Sequence, residues 1–286
     1  MNAAVERRAG VDDLSPVART LLVPLWARAE ESRRRDPALF DASAEEIVRG
    51  LKVDLSALDE ARASQLGCSV RGALIDRWTQ DFLREHPEGT VVELGVGLNS
   101  RRERLGNGRA RWVEVDLPAV MSLREHFFAT NADRVGVAGS ITELDTLLAV
   151  RDAVRGPCFI VSEGVLVYLS RDEVRTLLSR LRALLPGAAM ALDVMTREVV
   201  RFQGAHDAMR HFEARFTWGV REPREVLTYA EGLRLEALES FYDLLYARAS
   251  RLPRWMRVAG PLLKRAWPGV RWSYAILRLR LGPPAG

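Results

Sequence analysis

Val91-Val92-Glu93-Leu94-Gly95-Val96-Gly97-Leu98-Asn99-Ser100-Arg101 is the stretch on which the fold turns. A β-branched apolar run enters Gly-x-Gly, and the residues after it suit a helix. Glycines at such a corner let the backbone turn tightly and come close to a nucleotide-like ligand with no Cβ in the way. Working outward, residues 111–115, 134–137, 158–161 and 188–194 are further short apolar runs and are predicted as buried strands. Helical segments are expected between them, starting near Pro118, Ile141, Arg171 and Thr196. Ser140-Ile141-Thr142-Glu143 and Ser170-Arg171-Asp172-Glu173 both have the capping-box pattern. Residues 233–241 and 272–281, with a helix around 252–267 between them, supply two more strands.

Strands alternating with helices predict an α/β fold, a Rossmann-like, mostly parallel doubly wound sheet of about seven strands. Upstream of the glycine turn the sequence is helical. Ser15 with Pro16 starts one helix, Ser43-Ala44-Glu45-Glu46 has the pattern of a capping box, and residues 71–84 carry Leu74, Ile75, Trp78, Phe82 and Leu83 on one face. The expected organisation is an N-terminal helical extension over 1–88 and a core over 89–286, with a helical lid inserted at about 196–231.

The chain has 286 residues, 48% of them hydrophobic, enough to bury a large core. Its net charge is +4, and Lys52 and Lys264 are the only lysines among many arginines. No dense basic cluster points to nucleic acid. The arginine-rich tail from Arg251 to Arg280 is compatible with an anionic surface, but its spacing reads first as a helix and a strand. Cys68 and Cys158 cannot form a disulfide framework. The charged residues Glu6 to Asp13 are followed by no long apolar run, which argues against a signal peptide, and no apolar stretch reaches spanning length. A cytoplasmic protein with no membrane partner and no metal is the expectation.

Glu93 precedes the turn, and Asp116 follows about 20 residues on, where a second strand offers a carboxylate to ribose hydroxyls. A dinucleotide turn wants a third glycine where Ser100 stands, so that a pyrophosphate can sit on the helix N-terminus. S-adenosylmethionine (SAM) has no phosphate, and the turn favours it over NAD.

The turn, Trp112-Val113-Glu114-Val115-Asp116-Leu117-Pro118 and Ser162-Glu163-Gly164-Val165-Leu166-Val167-Tyr168-Leu169 together resemble the leucine carboxyl methyltransferase family. The bacterial polyketide (tetracenomycin-type) O-methyltransferase branch of it is most similar. Arg19-Thr20, Arg71, Phe216-Thr217-Trp218-Gly219-Val220 and Glu222-Pro223-Arg224-Glu225 extend the likeness, which runs roughly from Arg19 to Leu281. The chain departs from the family at Val96, often Cys, and at Asn99-Ser100, often Asp-Thr. The resemblance implies SAM as cofactor. It implies Gly95 and Gly97 along the methionine part, Asp116 on the ribose, Ser140 and Ile141 beside the adenine, and Glu163 on the methionyl amino group. It also implies Arg71, with Arg77 as the alternative, on the methionyl carboxylate, which a guanidinium fork suits. Ser140 could equally be a helix cap, and Glu114 could exchange roles with Asp116, since strand alternation puts both on one side.

Such an enzyme would transfer a methyl group to a carboxylate or hydroxyl oxygen of a small, polyketide-like natural product. A carboxylate is ionised at neutral pH and needs no base, whereas a phenol with a pKa of about 10 does. The catalytic candidates are His206, His211 and Tyr168, and His126 is a further histidine that could serve as a base. Phe216 and Trp218 are expected as apolar walls of the acceptor pocket. The competing readings are a methyltransferase of protein C-terminal carboxylates, an NAD(P)-dependent oxidoreductase and a non-catalytic SAM-binding protein.

Overall fold

The computed structural model describes residues 11–282, apart from Lys52 and Thr130. The charged stretch read against a signal peptide lies mostly outside the described residues. Among the described residues four α-helices precede the sheet: α1 (Pro16–Arg19), α2 (Leu22–Ser32), α3 (Ala42–Leu51) and α4 (Arg62–Glu85). Ser15 caps α1, its Oγ accepting from the Ala18 amide at 3.2 Å. The Ser43 capping box does not form. Asp41 takes that place, accepting from the Ala44 amide at 3.1 Å, and Ser43 falls inside α3. Helix α4 begins at Arg62, well before the predicted Arg71, because Leu66 and Val70 also find apolar cover, against Leu245 and Leu252.

The rest of the chain alternates as β1 (Thr90–Leu94), α5 (Arg101–Leu105), β2 (Arg111–Asp116), α6 (Pro118–Arg124), β3 (Arg134–Ala138), α7 (Leu144–Ala153), β4 (Cys158–Ser162), α8 (Arg171–Leu184), β5 (Ala189–Met195), α9 (Arg197–Arg201), β6 (Leu233–Ser240), α10 (Phe241–Tyr246), α11 (Arg254–Ala266) and β7 (Tyr274–Leu281). The seven strands form one sheet in the order β3-β2-β1-β4-β5-β7-β6. The first five run parallel, and β7 is antiparallel to both β5 and β6.

Alternation along β1 divides the core. Val92 and Leu94 join the cluster built with α7 and α8, while Val91 packs with Trp112, Phe159 and the Leu74, Ile75, Trp78 and Phe82 stripe of α4. Each such side chain, fully removed from water, contributes about 1.5–3 kcal/mol. Glu93 shares the α4 side with Val91, which directs its carboxylate toward α4 and α5.

The Ser170 capping box forms in full, with Ser170 Oγ accepting from the Glu173 amide at 3.2 Å and Glu173 accepting from the Ser170 amide at 2.7 Å. The Ser140 box does not. Ser140 Oγ is taken up in a tight turn with Thr142 Oγ1 at 2.7 Å, and α7 starts only at Leu144. Phe241 opens α10 instead of ending β6, since Ser240 Oγ caps that helix through the Asp243 amide at 3.1 Å. Among the described residues no helix is long and apolar enough to cross a membrane.

Candidate cofactor and acceptor site

The strand order reverses between β1 and β4, and at the carboxyl ends of these strands lies a cavity of about 620 Å³. This is where open α/β sheets hold their ligands. Gly95 and Gly97, with φ of 72° and 52°, make the corner after β1. A Cβ on Gly95 would stand 2.4 Å from Val165 Cγ2, so the turn has both a conformational and a steric need for glycine there. The Gly95 and Val96 amides donate to the Val115 carbonyl at 2.8 and 3.0 Å. Asp116 closes the corner from the other side, accepting from the Gly97 and Leu117 amides, both at 2.7 Å. Burial raises its pKa, and the two amides pull the other way. Each carboxylate oxygen retains acceptor capacity toward the cavity.

Behind the turn runs a buried chain of charges. Glu163, in the loop after β4, accepts from Arg71 Nε at 3.0 Å and from Arg101 Nη2 at 2.6 Å. Arg71, on α4, also donates through Nη1 to Asp193 at 3.3 Å and to the Tyr274 hydroxyl at 2.5 Å. Arg101, at the start of α5, is fully buried and reaches Asp76 at 2.7 Å and Glu93 as well. Arg104 continues the chain to Asp76 and Asp41, both at 2.9 Å, and Arg28 meets Asp41 at 2.8 Å. Burial opposes the charge of Glu163, but Arg71 and Arg101 outweigh it and bring its pKa down to about 2. Burial likewise opposes the charge of Arg71, yet Tyr274, Asp193 and Glu163 raise its pKa. Glu93 goes the other way: burial raises its pKa more than Arg101 lowers it. Its Oε2 is buried without a hydrogen-bond partner among the described residues.

The structure gathers every proposed cofactor residue, Arg71, Glu93, Gly95, Gly97, Asp116, Ser140, Ile141 and Glu163, around this one cavity. It separates the alternatives. Arg77 is exposed on α4 and away from the cavity. Glu114 is bound into ion pairs with Arg124 at 2.8 Å and Arg134 at 3.0 Å and does not line it. The far end is apolar, with Met195, Phe216 and Phe241 beside Tyr168 and His206. His211 is exposed and outside the lining, because the turn at Met209–His211 points it outward, where Arg210 donates to its ring. His126 is also exposed and outside it. Trp218 is no wall of the pocket: it is 1% exposed in the core, its indole donating to Tyr229 at 3.3 Å. Four functional neighbours escaped the sequence reading: Arg101, Asp193, Tyr274 and Asp41. Arg101 stood at the end of the glycine stretch. The others come from distant segments with no local pattern to mark them.

Asp41 is buried behind the turn and does not line the cavity. Ser100, the N-cap of α5, donates to its carboxylate at 2.6 Å, so an acidic side chain lies beside the start of that helix. Four guanidiniums (Arg28, Arg71, Arg101 and Arg104) face five carboxylates (Asp41, Asp76, Glu93, Glu163 and Asp193). The excess negative charge and the orphaned Glu93 oxygen suit a ligand that brings an ammonium and a sulfonium against a single carboxylate.

The fold is shared with a DUF574 family protein from Streptomyces avermitilis, with a TM-score of 0.56 at 14% identity over 92% of this chain and 97% of that one. Sheet, switch-point cavity and glycine turn are those of the Rossmann-like class, and the match to a methyltransferase family makes the chain a SAM-dependent methyltransferase of that class. A model of the leucine carboxyl methyltransferase family matches residues 22–182, and the chain belongs to that family. The tetracenomycin polyketide synthesis O-methyltransferase TcmP of Streptomyces glaucescens is 30% identical over 267 residues, 93% of this chain and 97% of its own. A SAM-dependent methyltransferase of Gibberella zeae, dpfgK, is 28% identical over 282 residues, 88% of this chain and 90% of its own.

Proposed function

We propose that the protein is an O-methyltransferase that converts a carboxylate of a small, largely apolar, polyketide-like molecule to its methyl ester. The observation that carries this reading is the state of the acceptor end. His206 Nδ1 accepts from the Met209 amide at 3.3 Å, which leaves the proton of a neutral imidazole on Nε2. Burial lowers its pKa and keeps the ring neutral. The ring is then a hydrogen-bond donor to an acceptor oxygen, not a base. Tyr168, whose pKa burial pushes up to about 12, holds its proton as well. A carboxylate needs neither to act as a base; a phenol does.

SAM, when bound, supplies the electrophilic methyl group. Asp116 would take its ribose hydroxyls, Ser140 and Ile141 would flank its adenine, and Glu163 with the orphaned Glu93 oxygen would meet its ammonium. Arg71 Nη2, which has no hydrogen bond among the described residues, is left for the methionyl carboxylate. The chain contributes alignment and exclusion of water, which accounts for much of the acceleration in an in-line displacement. Resemblance to TcmP supports oxygen as the acceptor atom and a polyketide as the substrate class.

The test is methyl transfer from labelled SAM to paired aromatic acids and phenols. Product label released by mild alkali identifies an ester, and His206→Ala should cost less than about tenfold in kcat because no base is lost. Alkali-stable label, or a loss of about a hundredfold or more in His206→Ala, overturns the carboxylate reading. Calorimetry of SAM binding to Asp116→Ala and Glu163→Ala tests the cofactor assignment separately; unchanged affinity in both rejects it.

A further inference from the structure

No Asp or Glu follows Asp243, while eight arginines and Lys264 do. The excess positive charge of the chain is therefore concentrated in its last segment, and α11 carries it to the surface. Tyr246 sets the rotation of that helix. Its hydroxyl donates to the Met256 carbonyl at 2.8 Å, and its ring lies so close to Gly260 that a Cβ there would meet the phenol oxygen at 1.5 Å. With Met256 and Gly260 turned inward, Trp255, Val258 and Leu262 form a stripe on the outside, 70%, 68% and 63% exposed. Leu263 and Trp267 widen it. Arg254, Arg257 and Arg265 are exposed beside the stripe, and none has an ion-pair partner among the described residues. Lys264, by contrast, is paired with Asp243 at 3.3 Å.

We propose that α11 docks the protein on the surface of an anionic lipid bilayer. Trp255, Val258 and Leu262 enter the headgroup boundary, and the three free arginines lie against lipid phosphates. An exposed apolar stripe with tryptophan, flanked by arginine and free of acids, is the composition of a helix that lies in such an interface. Charge complementarity favours lipid over a second copy of the chain. A two-fold contact through α11 would set the same arginines against each other, with no carboxylate on the helix to pair them. Trp255 and Met256 also line the cavity, so docking places its rim at the bilayer. This replaces the expectation of no membrane partner with a peripheral one.

Flotation of the full chain with vesicles of phosphatidylcholine alone, and of phosphatidylcholine with phosphatidylglycerol, tests it. Binding to the anionic vesicles only, weakened by added salt, is expected. Arg254→Gln/Arg257→Gln/Arg265→Gln should lower the partition coefficient on the order of a hundredfold, at about fivefold per arginine. Val258→Ser/Leu262→Ser should also release the protein. Calorimetric SAM binding by each variant confirms that it is folded, and because vesicle binding needs no turnover, its failure leaves the methyltransferase reading standing. Absence from anionic vesicles at low salt, equal binding to neutral ones, or folded variants that bind as the parent does, each overturns the proposal. So does a dimer in sedimentation that Val258→Ser/Leu262→Ser disperses while vesicles bind neither form.

Discussion

Arg101 donates to three carboxylates from three separate pieces of the chain: Asp76 of α4, Glu93 of β1 and Glu163 beyond β4. Only the planar fork of a guanidinium reaches three such partners from one position, and all three carboxylates are largely withdrawn from water. Arg101→Met should lower the unfolding free energy by about 3–5 kcal/mol, the cost of leaving buried charge uncompensated. In Arg101→Met/Glu163→Gln one orphaned carboxylate is gone, and the two effects should fall short of their sum by about 0.5–3 kcal/mol. Urea titrations of the four proteins without SAM check this; strict additivity would mean that Arg101 and Glu163 act independently. The site was legible in the sequence wherever chemistry and chain are contiguous. Gly95, Gly97 and Asp116 announce themselves by spacing. Gly164, next to Glu163, has φ of 67° and donates its amide to Asp193 at 2.7 Å, so that motif encodes a corner as well as a carboxylate. The Arg101 and Asp193 partnerships depend on where α4 and β5 come to rest, and no local pattern states that.

At the scale of elements, the first part of the segment between α9 and β6 roofs the acceptor end, through His206, Asp207, Met209 and Phe216. Asp207 reaches across to the N-terminus of α4, accepting from the Ala63 and Ser64 amides at 3.1 and 3.2 Å and from the Ser64 hydroxyl. That helix has no side-chain cap of its own, so a residue from the roof performs the capping. Gln203 holds the other side through both backbone atoms of Phe216, at 2.7 and 3.0 Å. Asp207→Ala should cost about 1 kcal/mol, as a lost N-cap does. Its larger effect should be faster proteolysis within the roof and a higher KM for the acceptor, with SAM affinity nearly unchanged. Equal loss of SAM affinity would mean that Asp207 supports the whole site and not the roof. The alternating strands and helices were readable because periodicity is local. Helix starts were less so, since a Ser-x-x-Glu pattern forms a box only when its serine is free: Ser170 is, Ser140 is held by Thr142, and Ser43 lies within α3.

Across the whole molecule, the buried charges make stability depend on acid in a way that can be signed. Glu163 has its pKa lowered from 4.5 to about 2 in the folded protein, and Asp41 is also lowered, with burial opposing and Arg28 and Arg104 prevailing. A lowered carboxylate stabilises the fold above its unfolded pKa, and that contribution is lost as the pH falls through the folded one. For Glu163 the separation corresponds to about 3 kcal/mol, present above pH 4.5 and gone near pH 2. Glu93 and Asp116 have raised values, so they oppose this: their ionisation costs stability as the pH rises past the unfolded pKa. Unfolding free energies from urea titrations at successive pH values should therefore fall toward acid in the parent. Glu163→Gln should flatten that fall by about 3 kcal/mol, and Glu93→Gln should steepen it, because it removes a group that favours folding when protonated. A parent curve that is level between neutrality and pH 3, or a Glu163→Gln curve parallel to it, would show that the arginines do not hold Glu163 ionised as the geometry of Arg71 and Arg101 requires.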